Sequence, residues 1–134
     1  MRHLNPIIIA QKRIIRTITY SPRDHRSLPL FIENQILSFK YIVKYFSAVL
    51  AFKYLNFDYC SSIFIKAQNQ RNLRNNMNKL AVPFFRSTRG QKSIFYLTPH
   101  TWNSLPSDLR QLTNVFSFKY QLKMYLKNLQ SDSL

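Results

Sequence analysis

The segment 79–110 places the strongest constraint on the fold, because it holds the only glycine, the only tryptophan and three of the six prolines. Two hydrophobic runs in it, 80–85 and 93–97, are rich in β-branched and aromatic residues, and a polar run ending at Gly90 separates them. This pattern predicts a β-hairpin. Pro83 lies in the first run and has no N–H to donate, so that strand is expected at a sheet edge or broken there.

Two proline sites after the hairpin are typical of helix starts. Thr98 is expected to cap a short helix that has Pro99 in its first position. Trp102 and Leu105 then fall on one side of this helix. Pro106, which lies a few residues after Trp102, marks the start of another helix.

Hydrophobic periodicity predicts helices in the rest of the chain, over residues 5–20, 34–55, 58–65 and 115–129. The first has an isoleucine face and a basic face, and the second carries a broad apolar band. In the last, Phe118 and Leu122 belong to the buried face.

The Asn-rich segment 68–78 is predicted to be a flexible loop, because asparagine amides compete for backbone hydrogen bonds. Residues 130–134 are predicted to be a disordered tail. The whole chain, 1–134, is therefore predicted to form a single, mainly α domain with a small β-hairpin. In this α+β arrangement, amphipathic helices surround the hairpin and the block around Trp102.

Charge and cysteine content limit the partners and the compartment. Twenty Lys and Arg face only five Asp and Glu, and the resulting net charge of +15 favours binding to polyanions, chiefly RNA or DNA. A lone cysteine, Cys60, excludes an intrachain disulfide and is typical of a reducing compartment. The apolar run near Met1 is too short for a secretory signal. The chain is expected inside the cell, in the nucleus or the cytoplasm, and not secreted.

The acidic residues are too few and too scattered for a polymerase or nuclease site, which needs carboxylates close together. They are Asp24, Glu33, Asp58, Asp108 and Asp132. Cys60 and the histidines lack metal-ligand spacing, and His100 has no partner that would make it a catalytic base. We therefore expect no enzyme, no cofactor, no metal site and no small-molecule substrate in this chain by itself.

Basic residues in four groups are candidates for contact with a phosphate backbone, and a solvated face is the alternative for each. They are Lys12, Arg13 and Arg16; Arg71 and Arg74; Arg86, Arg89 and Lys92; and Lys119, Lys123 and Lys127. Five aromatic residues are candidates for base stacking, with core packing as the alternative, which is favoured for Trp102. These are Phe84, Phe85, Phe95, Tyr96 and Trp102.

A membrane role is disfavoured. Lys40, Lys44 and Lys53 interrupt the long second helix and would be costly near a bilayer centre. The isoleucine face and basic flank of the first helix leave peripheral binding to anionic lipid as a further alternative.

Several sequence blocks carry a resemblance that covers nearly the whole chain. They are Val82-Pro83, Thr88-Arg89-Gly90, Pro99, Trp102-Asn103-Ser104-Leu105-Pro106, Leu109-Arg110, Phe118-Lys119 and Leu122-Lys123, with weaker matches upstream such as Leu28-Pro29-Leu30-Phe31. In this order and approximate spacing they resemble the far C-terminal region of reverse transcriptases from LINE-type (non-LTR) retrotransposons, the jockey-like mobile elements. One departure is Thr98-Pro99, where the family usually has Gly-Pro.

The resemblance implies a parent protein that is an RNA-directed DNA polymerase, of which this chain holds only the post-polymerase region. The chain would be a non-catalytic fragment or remnant, with non-specific RNA or DNA binding through its basic surfaces. The alternative is a structural scaffold that packs against the upstream polymerase domain and has no activity of its own.

Overall fold

The computed structural model describes residues 5–57, 63–67 and 78–133. Six α-helices lie in these ranges, and a 3-10 turn covers Gly90–Lys92. The helices are α1 (Asn5–Ile18), α2 (Ser27–Glu33), α3 (Phe39–Phe57), α4 (Ile94–Asn103), α5 (Ser107–Arg110) and α6 (Val115–Ser131). The described part of the chain is thus mainly helical.

The predicted β-hairpin is wrong. In the described ranges, β-type pairing is limited to an isolated antiparallel bridge between Lys66 and Leu80. The expected second strand, 93–97, instead provides the start of α4. Strand propensity spans only about 1 kcal/mol and is easily outweighed by burial. Here the helical conformation places Thr98 and Trp102 of the same helix in the core, with no solvent exposure.

Helix α4 begins earlier than the proline pattern predicts. Ser93 takes the N-cap position with extended backbone (φ −70°, ψ 154°), and Pro99 lies inside the helix instead of in its first position. A proline there cannot donate to the carbonyl of Phe95. Pro106 does directly precede α5, as predicted.

Gly90 lies at the predicted turn but serves a different purpose there. No glycine in the described ranges has a positive φ, so Gly90 is not required for a left-handed turn. A Cβ atom at this position would lie 2.7 Å from Cδ1 of Phe85. Close packing against the Phe85 ring is therefore what excludes larger residues. Pro83 lies on an exposed irregular segment.

The predicted helix 34–55 starts late. Residues 34–38 form a turn and an extended segment in which Gln35 has a φ of 55°, and α3 begins at Phe39. The side of α3 that faces the core is also not the side with the largest apolar residues. Phe46 is 65% exposed, while Ala48 and Ala51 are completely buried. A helix that is apolar around most of its circumference does not indicate from sequence which side faces the core.

Some predictions fall outside the described residues, which omit 1–4, 58–62, 68–77 and 134. Nearly all of the predicted loop and most of the predicted helix 58–65 belong to these segments. Residues 63–67 are described and are not helical. Helix α6 ends at Ser131, so it includes the first two residues of the predicted tail.

The chain divides into two compact units where the sequence indicates one domain. The first unit contains residues 1–43 and 123–134, and the second contains residues 44–122. Helices α1 and α2 belong to the first unit, and α4 and α5 belong to the second. Helices α3 and α6 contribute residues to both.

In the first unit, α1 packs against α2 through a small cluster of Ile15, Leu30 and Phe31, all of which are buried. The rest of the isoleucine face of α1 is less covered, since Ile14 and Ile18 are 57% and 61% exposed.

Two side-chain amides bind the extended segment between α2 and α3. The four bonds are Gln11 Nε2 to Leu37 O (3.0 Å), Phe39 N to Gln11 Oε1 (2.8 Å), Ser38 N to Gln130 Oε1 (2.8 Å) and Gln130 Nε2 to Ile36 O (3.0 Å). The two amides thus supply partners to part-buried backbone groups that have none within a helix or sheet.

The core of the second unit is aromatic. The ring of Phe52 stacks on Phe118, with centroids 4.3 Å apart and planes 15° apart, and Trp102 lies 5.8 Å from the same Phe118 ring. The predicted core roles of Trp102, Phe118 and Leu122 are confirmed, because all three side chains are completely buried, and Leu105 is 5% exposed.

Trp102 and Asn103 also bind the segment that precedes α4. The indole Nε1 of Trp102 donates to the carbonyl of Asn78, and the Asn103 amide accepts from Leu80 N (3.0 Å) and donates to Leu80 O (2.7 Å). The opposite edge of this segment is paired as well, for example by Ala81 N to Ile65 O at 2.7 Å. Trp102 and Asn103 of α4 therefore supply this segment with the kind of hydrogen bonds that a neighbouring strand would supply.

Candidate nucleic-acid interface

The end of α1 is shaped by a helix-terminating motif. The N–H of Ser21 bonds to Arg16 O (2.9 Å) and the N–H of Tyr20 bonds to Thr17 O (3.3 Å), which is the hydrogen-bond pattern of a Schellman motif. Tyr20 occupies the left-handed position with a φ of 52°. Pro22 follows and disfavours further helix, so the sequence accounts for the stop.

A surface cleft of about 850 Å³ lies beside this motif in the first unit. Its lining residues are Arg13, Arg16, Thr17, Tyr20, Ser21 and Arg23. We call it the arginine cleft. Arg13 and Arg16 lie on one side of α1 because residues three apart are neighbours on a helix, and Tyr20 and Arg23 follow in the turn after it.

The positive charge of the arginine cleft is not neutralised locally. No carboxylate forms an ion pair with Arg13, Arg16 or Arg23 in the part of the chain that the structure describes. Arg16 is oriented by a bond from its Nε to the carbonyl of His25 at 3.0 Å. That bond uses one donor and leaves the forked Nη groups of the guanidinium to meet an anion.

The hydroxyl groups of Thr17 and Ser21 in the cleft are already engaged. Thr17 Oγ1 donates to Arg13 O at 3.0 Å. Thr19 Oγ1 donates its hydrogen to Ile15 O at 2.8 Å, so Ser21 is the donor in the 2.9 Å bond between Ser21 Oγ and Thr19 Oγ1. The guanidinium groups and the exposed phenol of Tyr20 are therefore the side-chain donors that the cleft offers to a ligand.

The other predicted basic groups differ in placement. Lys12 is an exposed residue of α1 and is not among the cleft-lining residues. Arg86 and Arg89 are exposed and Lys92 is half-buried, all beside the 3-10 turn. Arg71 and Arg74 lie outside the described residues.

The lysine stripe of α6 is present as the spacing predicts, but its members are not equivalent. Lys123 is exposed, Lys119 and Lys127 are half-buried, and Lys127 donates to Gln35 Oε1 at 3.3 Å. Two further aromatic residues of α6, Phe116 and Tyr120, are 82% and 69% exposed. Periodicity assigned these two residues no role.

Comparison with family models, curated proteins and solved structures finds no match to this chain.

The predicted stacking residues separate into two classes. Trp102 is buried and so belongs to the core, whereas Phe84 and Phe95 are 86% and 49% exposed. Phe85 and Tyr96 are half-buried and contact each other edge to face at 6.4 Å.

Neither a metal-ligating cluster nor a helix that could cross a membrane occurs in the described ranges. No group of His, Cys, Asp and Glu there is placed to hold a metal ion. Likewise, none of the helices in these ranges combines the length and the apolar character needed to cross a membrane. His100 is exposed and stacks on Tyr96 at 5.3 Å.

Sequence reasoning found Arg13 and Arg16 but missed Arg23 and Tyr20. The first two belong to a basic helix face and are visible as a periodic pattern. Arg23 and Tyr20 flank the helix stop in a polar connection, where no periodicity applies. The Tyr-Ser-Pro sequence at positions 20–22 was the available signal, because a proline two residues on often follows a helix C-terminus.

Proposed function

We propose that this chain is a non-catalytic nucleic-acid-binding module, which contacts the phosphate backbone of RNA or DNA through the arginine cleft. The observation that carries the proposal is the convergence of Arg13, Arg16 and Arg23 on one cleft without an ion-pair partner among the described residues. Guanidinium groups recognise phosphate through paired N–H donors, and this contact is independent of base sequence.

The overall charge supports the same function. A net charge of +15 on 134 residues raises the local concentration of a polyanion around the molecule. Each phosphate neutralised by Lys or Arg releases condensed counterions, so affinity must fall steeply with salt. Binding without sequence preference is the expected result.

The resemblance to the C-terminal region of LINE-type reverse transcriptases supplies a context for this activity. We propose that the chain derives from such a protein, in which a region after the polymerase would hold template RNA or target DNA. Support comes from Trp102 and Asn103, which belong to the most specific block of the resemblance, 102–106. Both side chains bind the 78–80 segment, and these bonds give a structural reason for the presence of the two residues.

The test is a salt titration of binding to labelled single-stranded RNA and to duplex DNA. The variant Arg13→Gln/Arg23→Gln removes two exposed cleft charges and leaves the Arg16 to His25 bond in place. The control Arg26→Gln/Lys40→Gln removes two exposed charges outside the cleft. The cleft variant should lower the magnitude of the salt slope by about 1.4 on single strands and about 1.8 on duplex, and the control by clearly less.

Two outcomes would overturn this function. One is the absence of binding to either polymer at low salt. The other is an equal slope change in the cleft variant and the control, which would assign binding to net charge alone. An anionic lipid vesicle forms the third arm, and binding to vesicles without binding to RNA or DNA would replace the proposal with a peripheral membrane role.

A scaffold role is the second candidate, and a specific surface of the second unit favours it. A cavity of about 340 Å³ there is lined by apolar residues only, and they are Ile63, Phe64, Ile65, Ala81, Val82, Pro83, Phe85 and Phe95. Ile65 at its rim is 70% exposed, and Phe84 nearby in sequence is 86% exposed. Uncovered apolar surface of this kind marks interaction sites.

The scaffold role predicts that an added polymerase domain covers this surface. Fluorescence of an apolar dye bound to the wild-type chain should fall when the polymerase domain of a LINE-type element is added. The variant Ile65→Ser/Phe84→Ser should show a low signal from the start and no further change. Dye fluorescence that the domain leaves unchanged would exclude this role.

A further inference from the structure

We propose that Tyr20 is a base-stacking residue, which makes the arginine cleft a site for one nucleotide of a single strand. This inference rests on the proposed function and deepens it. It assigns the phosphate to the guanidinium groups and the adjoining base to the phenol ring. Both groups line the same cleft.

The first observation is the exposure of the ring. Tyr20 is 96% exposed, which is the highest value among the exposed large hydrophobic residues of the described ranges. Its ring makes no contact with another aromatic ring in those ranges. An aromatic face that is fully solvated is available to a ligand, whereas Trp102 in the second unit is not.

The second observation is the backbone conformation. A φ of 52° is normally adopted by glycine or asparagine, because a Cβ atom is crowded there. Tyr20 nevertheless occupies this left-handed position at the end of α1. Strained conformations of large residues concentrate at functional sites. Here the left-handed residue is also one of the residues that line the cationic cleft.

The chemistry of the cleft selects the ligand class. In a nucleotide one sugar carries both the base and the phosphate, so one cleft with guanidinium groups and an aromatic ring matches both parts. A single strand can turn an unpaired base onto the ring, since every base presents a π-face. In a duplex the bases are stacked within the helix and only the phosphates reach the cleft. Tyr20 should therefore distinguish single strands from duplexes.

The experiment compares Tyr20→Ala, Tyr20→Phe and the control Phe46→Ala, which removes another exposed ring that does not line the cleft. Affinities are measured for a short single-stranded RNA and for a duplex at fixed salt. Tyr20→Ala should weaken single-strand binding about tenfold and change duplex binding less than about twofold. Tyr20→Phe and Phe46→Ala should bind both polymers as the wild type does.

A stacking signal provides the second readout. An RNA carrying the fluorescent base 2-aminopurine should be quenched more by the wild type and Tyr20→Phe than by Tyr20→Ala at saturation. Equal quenching by all three, or an equal loss of single-strand and duplex binding in Tyr20→Ala, would overturn the role of Tyr20. These results are distinct from failure of the proposed function, in which the wild type binds neither polymer.

Discussion

Gln11 and Gln130 accept hydrogen bonds from adjacent backbone N–H groups, those of Phe39 and Ser38, each at 2.8 Å. Gln11 belongs to α1 and Gln130 to α6, and more than one hundred residues of sequence separate them. They nevertheless bind adjacent residues of the same segment. Gln130 is 2% exposed and also donates to Ile36 O at 3.0 Å. The extended segment before α3 is thus held by side chains instead of by a sheet.

The first prediction concerns Gln130. Gln130→Leu should lower the free energy of unfolding by about 1–3 kcal/mol, because it leaves the part-buried N–H of Ser38 and the carbonyl of Ile36 without these partners. Chemical denaturation monitored by circular dichroism measures this change. Asn128→Ala, an exposed change in the same helix, is the control and should stay within about 0.5 kcal/mol of the wild type. Equal stability of the two variants would contradict the role of Gln130.

The second prediction uses one chemical change at two asparagines. Asn103→Asp should destabilise by about 2 kcal/mol, because Asn103 Nδ2 donates to Leu80 O at 2.7 Å and a carboxylate would repel that oxygen. Asn114→Asp should be neutral or stabilising by up to about 1 kcal/mol, since Asn114 Oδ1 only accepts, from Phe116 N and Ser117 N at the start of α6.

Thermal unfolding of these two variants at pH 7 provides the measurement. Both carry the same added charge, so net charge does not explain a difference in sign. Destabilisation of similar size in both would show that the donor at Asn103 has no special role.

The third prediction concerns Gly90. Gly90→Ala should destabilise by about 1–3 kcal/mol, because the added Cβ lies 2.7 Å from Phe85 Cδ1 and 2.9 Å from Phe85 Cβ. In a Phe85→Ala background the contacts with the ring are absent and only the 2.9 Å contact with Cβ remains, so the same change should cost clearly less. A double-mutant cycle in denaturant tests this, and additive effects would rule out the proposed packing.

The fourth prediction separates stability from binding at Tyr20. Tyr20→Gly should raise the free energy of unfolding by about 1 kcal/mol, because glycine adopts a φ of 52° without steric cost. The same variant should lose the preference for single strands. Denaturation and RNA affinity are measured on one preparation, and a Gly variant that is less stable than the wild type would count against strain at this position.

The candidate site was predictable in part. Charge on one face of α1 is a local property, so Arg13 and Arg16 were found from their spacing. Their association with Arg23 and Tyr20 depends on the turn after the helix. The direction of the chain there follows from the Schellman bonds and the left-handed residue, which periodicity does not report.

Elements whose signals are local were predictable from the amino-acid pattern alone. Proline and asparagine at the start of α1, and the regular spacing of Phe118 and Leu122 in α6, specify helices through backbone geometry and burial of one face. The conformation of the segment 79–97 depends instead on tertiary contacts. Its strand-like residues form the start of α4 and an isolated bridge. Packing of Trp102 and the hydrogen bonds of the Asn103 amide stabilise this arrangement more than a hairpin interrupted by Pro83 would be stabilised.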